Sequence, residues 1–252
     1  MKKILFWLFL LFFIITHTHV LASEFRILTH NSKNQVRIKD GIYYGINNAG
    51  KRAFYIELVK ILLKEMDYPI AIEDVPFPRG LLWVQTTDNC IFFAVQRTQN
   101  RENTVKWVGP ISTASDYFYE WKQRPTKITK IKDATNLRIC VLNKSVHDEH
   151  LSKIGFTQLL KHSDYTICFD LLKHGRVDLA ITSPDTLQDK LEAIGIQTED
   201  VKSTGVMVLE GRIYIAFSNN IPDKEVDKWS TALDELKRSG KYKNLISQYL
   251  PH

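Results

Sequence analysis

Apolar positions recur along the chain in two alternating rhythms. Short apolar runs at residues 25–29, 70–75 and 90–95 predict strands. Between them, residues 53–66 set Phe54, Leu58, Leu62 and Met66 on one helical face, and residues 79–86 predict a shorter helix. Gly109-Pro110 punctuates this first set. A second begins with an aromatic-rich strand at 117–121, followed by a strand at 137–142, a helix at 146–154, a strand at 166–169, a helix at 170–174 stopped by Gly175, and a strand at 177–182. Extended pieces are expected at 206–209 and 213–217. The tail places Val226, Trp229, Leu233 and Leu236 on one face, breaks at Gly240 and resumes with Tyr242, Leu245, Ile246 and Tyr249, an amphipathic helical hairpin suited to covering a sheet. Strand-then-helix repeats predict an α/β fold with parallel sheets and flanking helices, in two similar halves joined in series.

The first residues change the picture from fold to compartment. Lys2 and Lys3 precede an unbroken apolar run, residues 4–15, and then the small-residue site Val20-Leu21-Ala22. This predicts a signal peptide over residues 1–22, cut before Ser23. The apolar run is too short for the roughly 20 residues a membrane span needs, and no cysteine follows the cut to carry a lipid. Loss of Lys2 and Lys3 takes the formal charge from +6 to +4. The remaining basic residues are interleaved with acidic ones, which argues against nucleic acid as a partner. Cys140 and Cys168 both lie in strand-like runs and could be bridged or be buried free thiols, with Cys90 the odd one. No metal-ligand spacing, redox Cys-x-x-Cys or cofactor motif occurs, so no metal or cofactor is expected.

Three segments carry binding chemistry. Arg97-Thr98-Gln99-Asn100-Arg101-Glu102 follows a buried strand, where open α/β folds bind ligands. A guanidinium there can grip a carboxylate through two parallel hydrogen bonds, although Arg101 could equally pair with Glu102. Val75-Pro76-Phe77-Pro78-Arg79-Gly80 reads as a stiff loop in which Phe77 offers an apolar wall and Arg79 a charge, or simply as a capped turn. Asn143-Lys144-Ser145-Val146 joins a strand to a helix, with Ser145 as N-cap and Asp148 three residues on. The free amides of such a start attract an anion, or form an ordinary cap. His147 and His150 read as an exposed first turn. The usual nucleophile, phosphate-loop and zinc motifs are missing, so the sequence offers binding features without a reaction.

In order and spacing these features resemble the extracellular solute-binding proteins of family 3, periplasmic receptors of polar amino acid ABC importers. The resemblance covers nearly all of the mature chain and is carried by Thr98-x-x-Arg101 leading to Lys106-Trp107-Val108-Gly109-Pro110, the Lys132-Asp133-x-x-Asn136-Leu137-Arg138-Ile139-Cys140-Val141 strand entry, the Gly175-Arg176-Val177-Asp178 turn and the Ala232-Leu233…Gly240…Tyr249 tail. It implies two lobes, residues 23–114 with 219–252 and residues 115–218, joined by crossing segments near 111–119 and 217–220. It further implies a monomer in the periplasm that closes on a small polar solute, an amino acid or related carboxylate, and hands it to a membrane ABC permease. Arg101 is expected to hold the solute's carboxylate, helped by Ser145 and Val146, with Gln96 adding a hydrogen bond and Phe77 a wall. The family's ammonium-binding acid is replaced by Ser183, with Asp185 close by. The same fold also serves as input to membrane signalling partners, and a few members are dehydratases. For such an enzyme Asp185, Glu120 and His30 would be the acid–base candidates.

Overall fold

The computed structural model describes residues 25–250, so the leader expected over residues 1–22 lies outside the described residues. The first set of elements is β1 (Arg26–Thr29), β2 (Val36–Lys39), β3 (Ile42–Gly45), α1 (Lys51–Glu65), β4 (Ile72–Asp74), α2 (Phe77–Thr86) and β5 (Cys90–Gln96). The long strands β6 (Lys106–Trp121) and β10 (Val201–Phe217) bracket the second: β7 (Ile139–Leu142), α3 (Val146–Lys153), β8 (Leu159–His162), α4 (Tyr165–Lys173), β9 (Ala180–Thr182) and α5 (Pro184–Glu192). Helices α6 (Asp223–Arg238) and α7 (Lys241–Tyr249) follow.

A six-stranded sheet has the order β4-β1-β5-β10-β6-β9, parallel at β4-β1-β5 and antiparallel from β5 onward. Strand β5, Cys-Ile-Phe-Phe-Ala-Val-Gln, is buried at every position because it lies between strands and has layers on both faces. In α1, Phe54, Leu58 and Leu62 are fully buried, each contributing roughly 1.5–3 kcal/mol. The helix is apolar on more than one side because it is sandwiched between the sheet and the α6–α7 pair. Trp229 anchors α6 in that core, and Gly240, with a left-handed backbone at φ 79°, turns the chain into α7.

The cores show where the molecule divides. Val108 and Ile111 of β6 and Ile213, Ile215 and Phe217 of β10 pack with α1 and α6. Phe118 of β6 and Val206 and Val208 of β10 pack with the second set. Two lobes are thus joined by the middles of two antiparallel strands, which pair with each other across the junction at Ser112↔Ile213 and Asp116↔Leu209.

Several expectations need correction. Residues 166–169, expected as a strand, lie inside α4. The β-branched and aromatic run Thr166-Ile167-Cys168-Phe169 reads equally as strand, but Asp164 caps a helix there by accepting from the Thr166 amide at 2.8 Å. The Cys140–Cys168 disulfide is formed and ties β7 to α4, while Cys90 is a buried free thiol. The loop expected at 75–80 is already helical from Phe77, and the two extended pieces at 206–217 are one strand. Helix α5 was not expected at all. Gly175, at φ 66°, follows α4 as the sequence indicates. No helix among the described residues is long and apolar enough to cross a membrane.

Candidate functional site

Loops at the carboxyl ends of β1, β5, β7 and β9 converge on the gap between the lobes, where they enclose a cavity of about 230 Å³. Of the residues singled out in the sequence, Phe77, Gln96, Arg101, Ser145, Val146 and Ser183 line it; Arg79 and Asp185 do not. Arg79 is exposed and turned over the Trp83 ring, because the helical turn starting at Phe77 sends it away from the gap. Asp185 pairs with Lys51 across the lobes at 2.6 Å.

Arg101 is 2% exposed and almost wholly engaged by the protein itself. Its Nε and Nη2 donate to the Glu149 carboxylate at 3.1 and 2.5 Å, Nη2 also donates to the Lys144 carbonyl at 2.9 Å, and Nη1 donates to the Gln96 carbonyl at 3.1 Å. Four of five donors' worth of capacity is therefore used, and the bonds to Glu149 and Lys144 join one lobe to the other. Lys144 holds a left-handed backbone, φ 58°, to present that carbonyl. Gln96 spreads its side chain over Gly211, where an added Cβ would fall 1.5 Å from the amide nitrogen. Ser145 caps α3 by accepting from the Asp148 amide at 3.3 Å, and Asp148 accepts in turn from the Lys144 amide at 3.0 Å. The amides of Val146 and His147 have no acceptor among the described residues.

Contrary to expectation, His147 is buried. Its ring nitrogen Nε2 lies 3.0 Å from Asp116 of β6, though off the direction of a hydrogen bond, and Nδ1 is unpartnered. Burial pushes the Asp116 carboxyl up, but the charges of His147, Lys190 and Lys51 outweigh it and hold the group below its ordinary value. His30, after β1, packs edge-on against Phe77 and lies 3.2 Å from the Ala94 carbonyl. Ala94 takes φ 65° at a bulge in β5, a strained backbone that re-aims the strand end at the cavity. Burial, reinforced by the charge of Arg52, keeps His30 neutral.

Sequence reasoning missed the residues that give the cavity its charge. Arg52 and Tyr55 project from the polar edge of α1, and Lys190 and Asp189 from α5. Arg52 meets His30 Nε2 at 3.1 Å and lies 5.8 Å over the Tyr55 ring, with no carboxylate paired to it. Lys190 donates to the Thr182 hydroxyl and sits 4.3 Å over the Tyr165 ring. Burial pulls Lys190 down to about 8 although Asp116 opposes it, and Arg52 adds to the lowering. Asp189 is pushed up to about 6 by burial and Glu192, and it accepts from the Gln35 amide of the other lobe. The signals were present: Ser183-Pro184-Asp185 is a helix start, and Leu187 and Leu191 share its inner face. No cluster of metal-ligating side chains occurs among the described residues.

The fold is that of the two-lobed periplasmic binding proteins. No family model matches the chain, and no curated protein matches it in sequence. Among solved structures, holo ArgBP from T. maritima superposes with a TM-score of 0.71 at 17% identity, covering 88% of this chain and 94% of that one. An amino acid ABC transporter substrate-binding protein from Streptococcus pneumoniae bound to L-arginine gives a TM-score of 0.73 at 16% identity, covering 90% and 94%. A histidine kinase sensor domain with similarity to periplasmic binding proteins gives 0.74 at 12%, covering 90% and 98%.

Proposed function

We propose that this protein is an exported solute-binding receptor that closes on a small polar solute and presents the closed shape to a membrane partner. The observation that carries the reading is the cavity between the lobes, walled by residues of both. Three contacts join the lobes around it: Arg101 with Glu149, Lys51 with Asp185 and Gln35 with Asp189. Closure follows from differential binding, because only the shut form brings both walls onto a solute.

In this reading residues 23–114 with 212–252 form one lobe and 115–211 the other, a shift from the expected boundary at 218/219. The second crossing is drawn nearer Gly211 than 217–220, because the packing of β10 changes lobes there. The solute's carboxylate meets the α3 start at Ser145 and Val146 beside Arg101, with Phe77 as the wall and Gln96 as a further donor. The Cys140–Cys168 bond fits a protein working outside the reducing cytoplasm, in the periplasm after loss of the leader. The partner is an ABC permease and the receptor a monomer; an amino acid ABC transporter substrate-binding protein shares the fold. A receptor also fits the residues better than an enzyme. Glu120 lies off the cavity, held by Thr126 at 2.7 Å; Asp185 is ion-paired; His30 alone of the three acid–base candidates lines the wall.

The sensor-domain likeness favours one second reading, in which the closed form docks on a signalling protein instead of a permease. Small-angle scattering with and without solute tests the common element. A receptor becomes more compact on addition of its solute, whereas an unchanged scattering profile with a bound solute would remove closure from the account. Pull-down of the closed form from membranes then separates permease from sensor.

A further inference from the structure

Two cations face the cavity without an ion pair of their own. Arg52 enters from α1 in the first lobe and Lys190 from α5 in the second, and among the described residues neither forms an ion pair. Arg52 has one neighbour for its five donors, the His30 ring nitrogen at 3.1 Å, and Lys190 has the Thr182 hydroxyl and the face of Tyr165. Most acids nearby are already engaged: Asp185 holds Lys51 at 2.6 Å, Asp189 is bonded by Gln35, and Glu149 is taken by Arg101. Asp116 lies 3.0 Å from His147 and its charge also acts on Lys190, but it pairs with neither cation. Lys33 and Asp164 also line the cavity, but both are exposed and answer to solvent.

We infer that the solute is a small dianion, a dicarboxylate of four or five carbons, with one carboxylate gripped between Arg52 of one lobe and Lys190 of the other. The inference rests on the receptor reading above and gives its site a substrate class. Like charges brought together from opposite lobes resist closure in a water-poor gap, and an oxyanion between them turns that repulsion into attraction. A guanidinium fork and an ammonium are well matched to the two oxygens of a carboxylate. The other carboxylate falls at the start of α3, where the Val146 and His147 amides lack acceptors and Arg101 is adjacent. Lys33, Lys51, Arg52, Arg101 and Lys190 line the cavity against Asp116, Asp164 and Asp189, a balance that disfavours a cation such as arginine. Ser183, on the same wall, carries no charge and its hydroxyl is bonded to Thr186 at 3.0 Å. Size agrees: a cavity of about 150 Å³ takes the six carbons of benzene, so about 230 Å³ suits a solute of roughly nine non-hydrogen atoms.

The test is isothermal titration calorimetry of the mature chain at pH 7 with succinate, glutarate, butyrate, inorganic phosphate and L-arginine, repeated on Arg52→Met and Lys190→Met. A dicarboxylate should bind, butyrate should bind at least tenfold more weakly, and each substitution should weaken the dicarboxylate at least tenfold. The unfolding midpoint without solute, measured alongside, should not fall in either variant, which shows that the loss is not one of folding. Tight binding of L-arginine that survives both substitutions overturns the dianion and leaves the receptor standing. Phosphate bound in place of any dicarboxylate, and weakened by both substitutions, overturns the carboxylate assignment alone. Absence of heat with every probe overturns the inference and leaves the receptor reading to the scattering test, which fails it only if the profile is unchanged with a solute bound.

Discussion

Arg101 and Arg52 both reach the cavity from the first lobe, and they are in opposite states. Arg101 is nearly saturated: Glu149, Lys144 and Gln96 take four of its five donors, and it acts as a strut between the lobes. Arg52 has an imidazole and the Tyr55 ring for company and confronts Lys190 across the gap. A buried charge with its partners in place contributes shape, and removing it leaves those partners unanswered. A half-buried charge without an ion-pair partner weakens the closed form by itself and becomes favourable when something of opposite sign arrives. The contrast divides labour between latch and lure, and it can be broken from either side.

The largest effect should come from the strut. Arg101→Met strands the Glu149 carboxylate and two carbonyls, and should lower stability by about 3 kcal/mol, roughly 6–12 °C in melting temperature. Arg52→Met should do the reverse, leaving the melting temperature of the solute-free protein unchanged or higher while weakening a dicarboxylate about thirtyfold, near 2 kcal/mol. If both variants melt alike, the two arginines are not in different states and the contrast fails.

A pH titration sharpens the same comparison. Lys190 is pulled to about 8 in the empty cavity, chiefly by burial, with Arg52 adding to the lowering and Asp116, Asp185 and Asp189 opposing it. An arriving anion raises it again, so binding takes up a proton near that pH. Affinity for a dicarboxylate should therefore fall as pH rises through 8, by up to about tenfold at pH 9. Lys190→Met should flatten this limb of the profile, and a profile equally steep in the variant would exclude Lys190. The smallest effect is expected at the junction. Gly211→Ala pushes the Gln96 amide aside, since a Cβ would sit 1.5 Å from its nitrogen, and should weaken the solute about threefold, near 0.6 kcal/mol. Equal affinity in that variant would remove Gln96 from the wall.

The fold was readable wherever one face of an element is apolar and its ends are marked. Residues 53–66 and the hairpin around Gly240 follow the sequence closely, because their inner faces are continuous and glycine or a cap stops them. Misreadings occurred where a short run satisfies two periods at once. Thr166-Ile167-Cys168-Phe169 fits a strand, and only the Asp164 cap and the neighbouring helices decide for helix. The site was legible where the backbone sets it, at strand ends and the α3 start, and illegible where a charge comes from a helix's polar edge. Arg52 reads as ordinary solvated surface until the second lobe is seen to cover it, and Lys190 until α5 is recognised. Whether Arg101 is free or saturated could not be read either, because Glu149 reaches it only across the cleft.

The central claim is that one carboxylate of the solute touches Arg52 and Lys190 together, and a double-mutant cycle on dicarboxylate affinity tests it most directly. Arg52→Met, Lys190→Met and the double variant should reveal a coupling of about 1 kcal/mol or more, the second substitution costing much less once the first is made. Losses that simply add, or single variants that bind as tightly as the parent, would contradict the account.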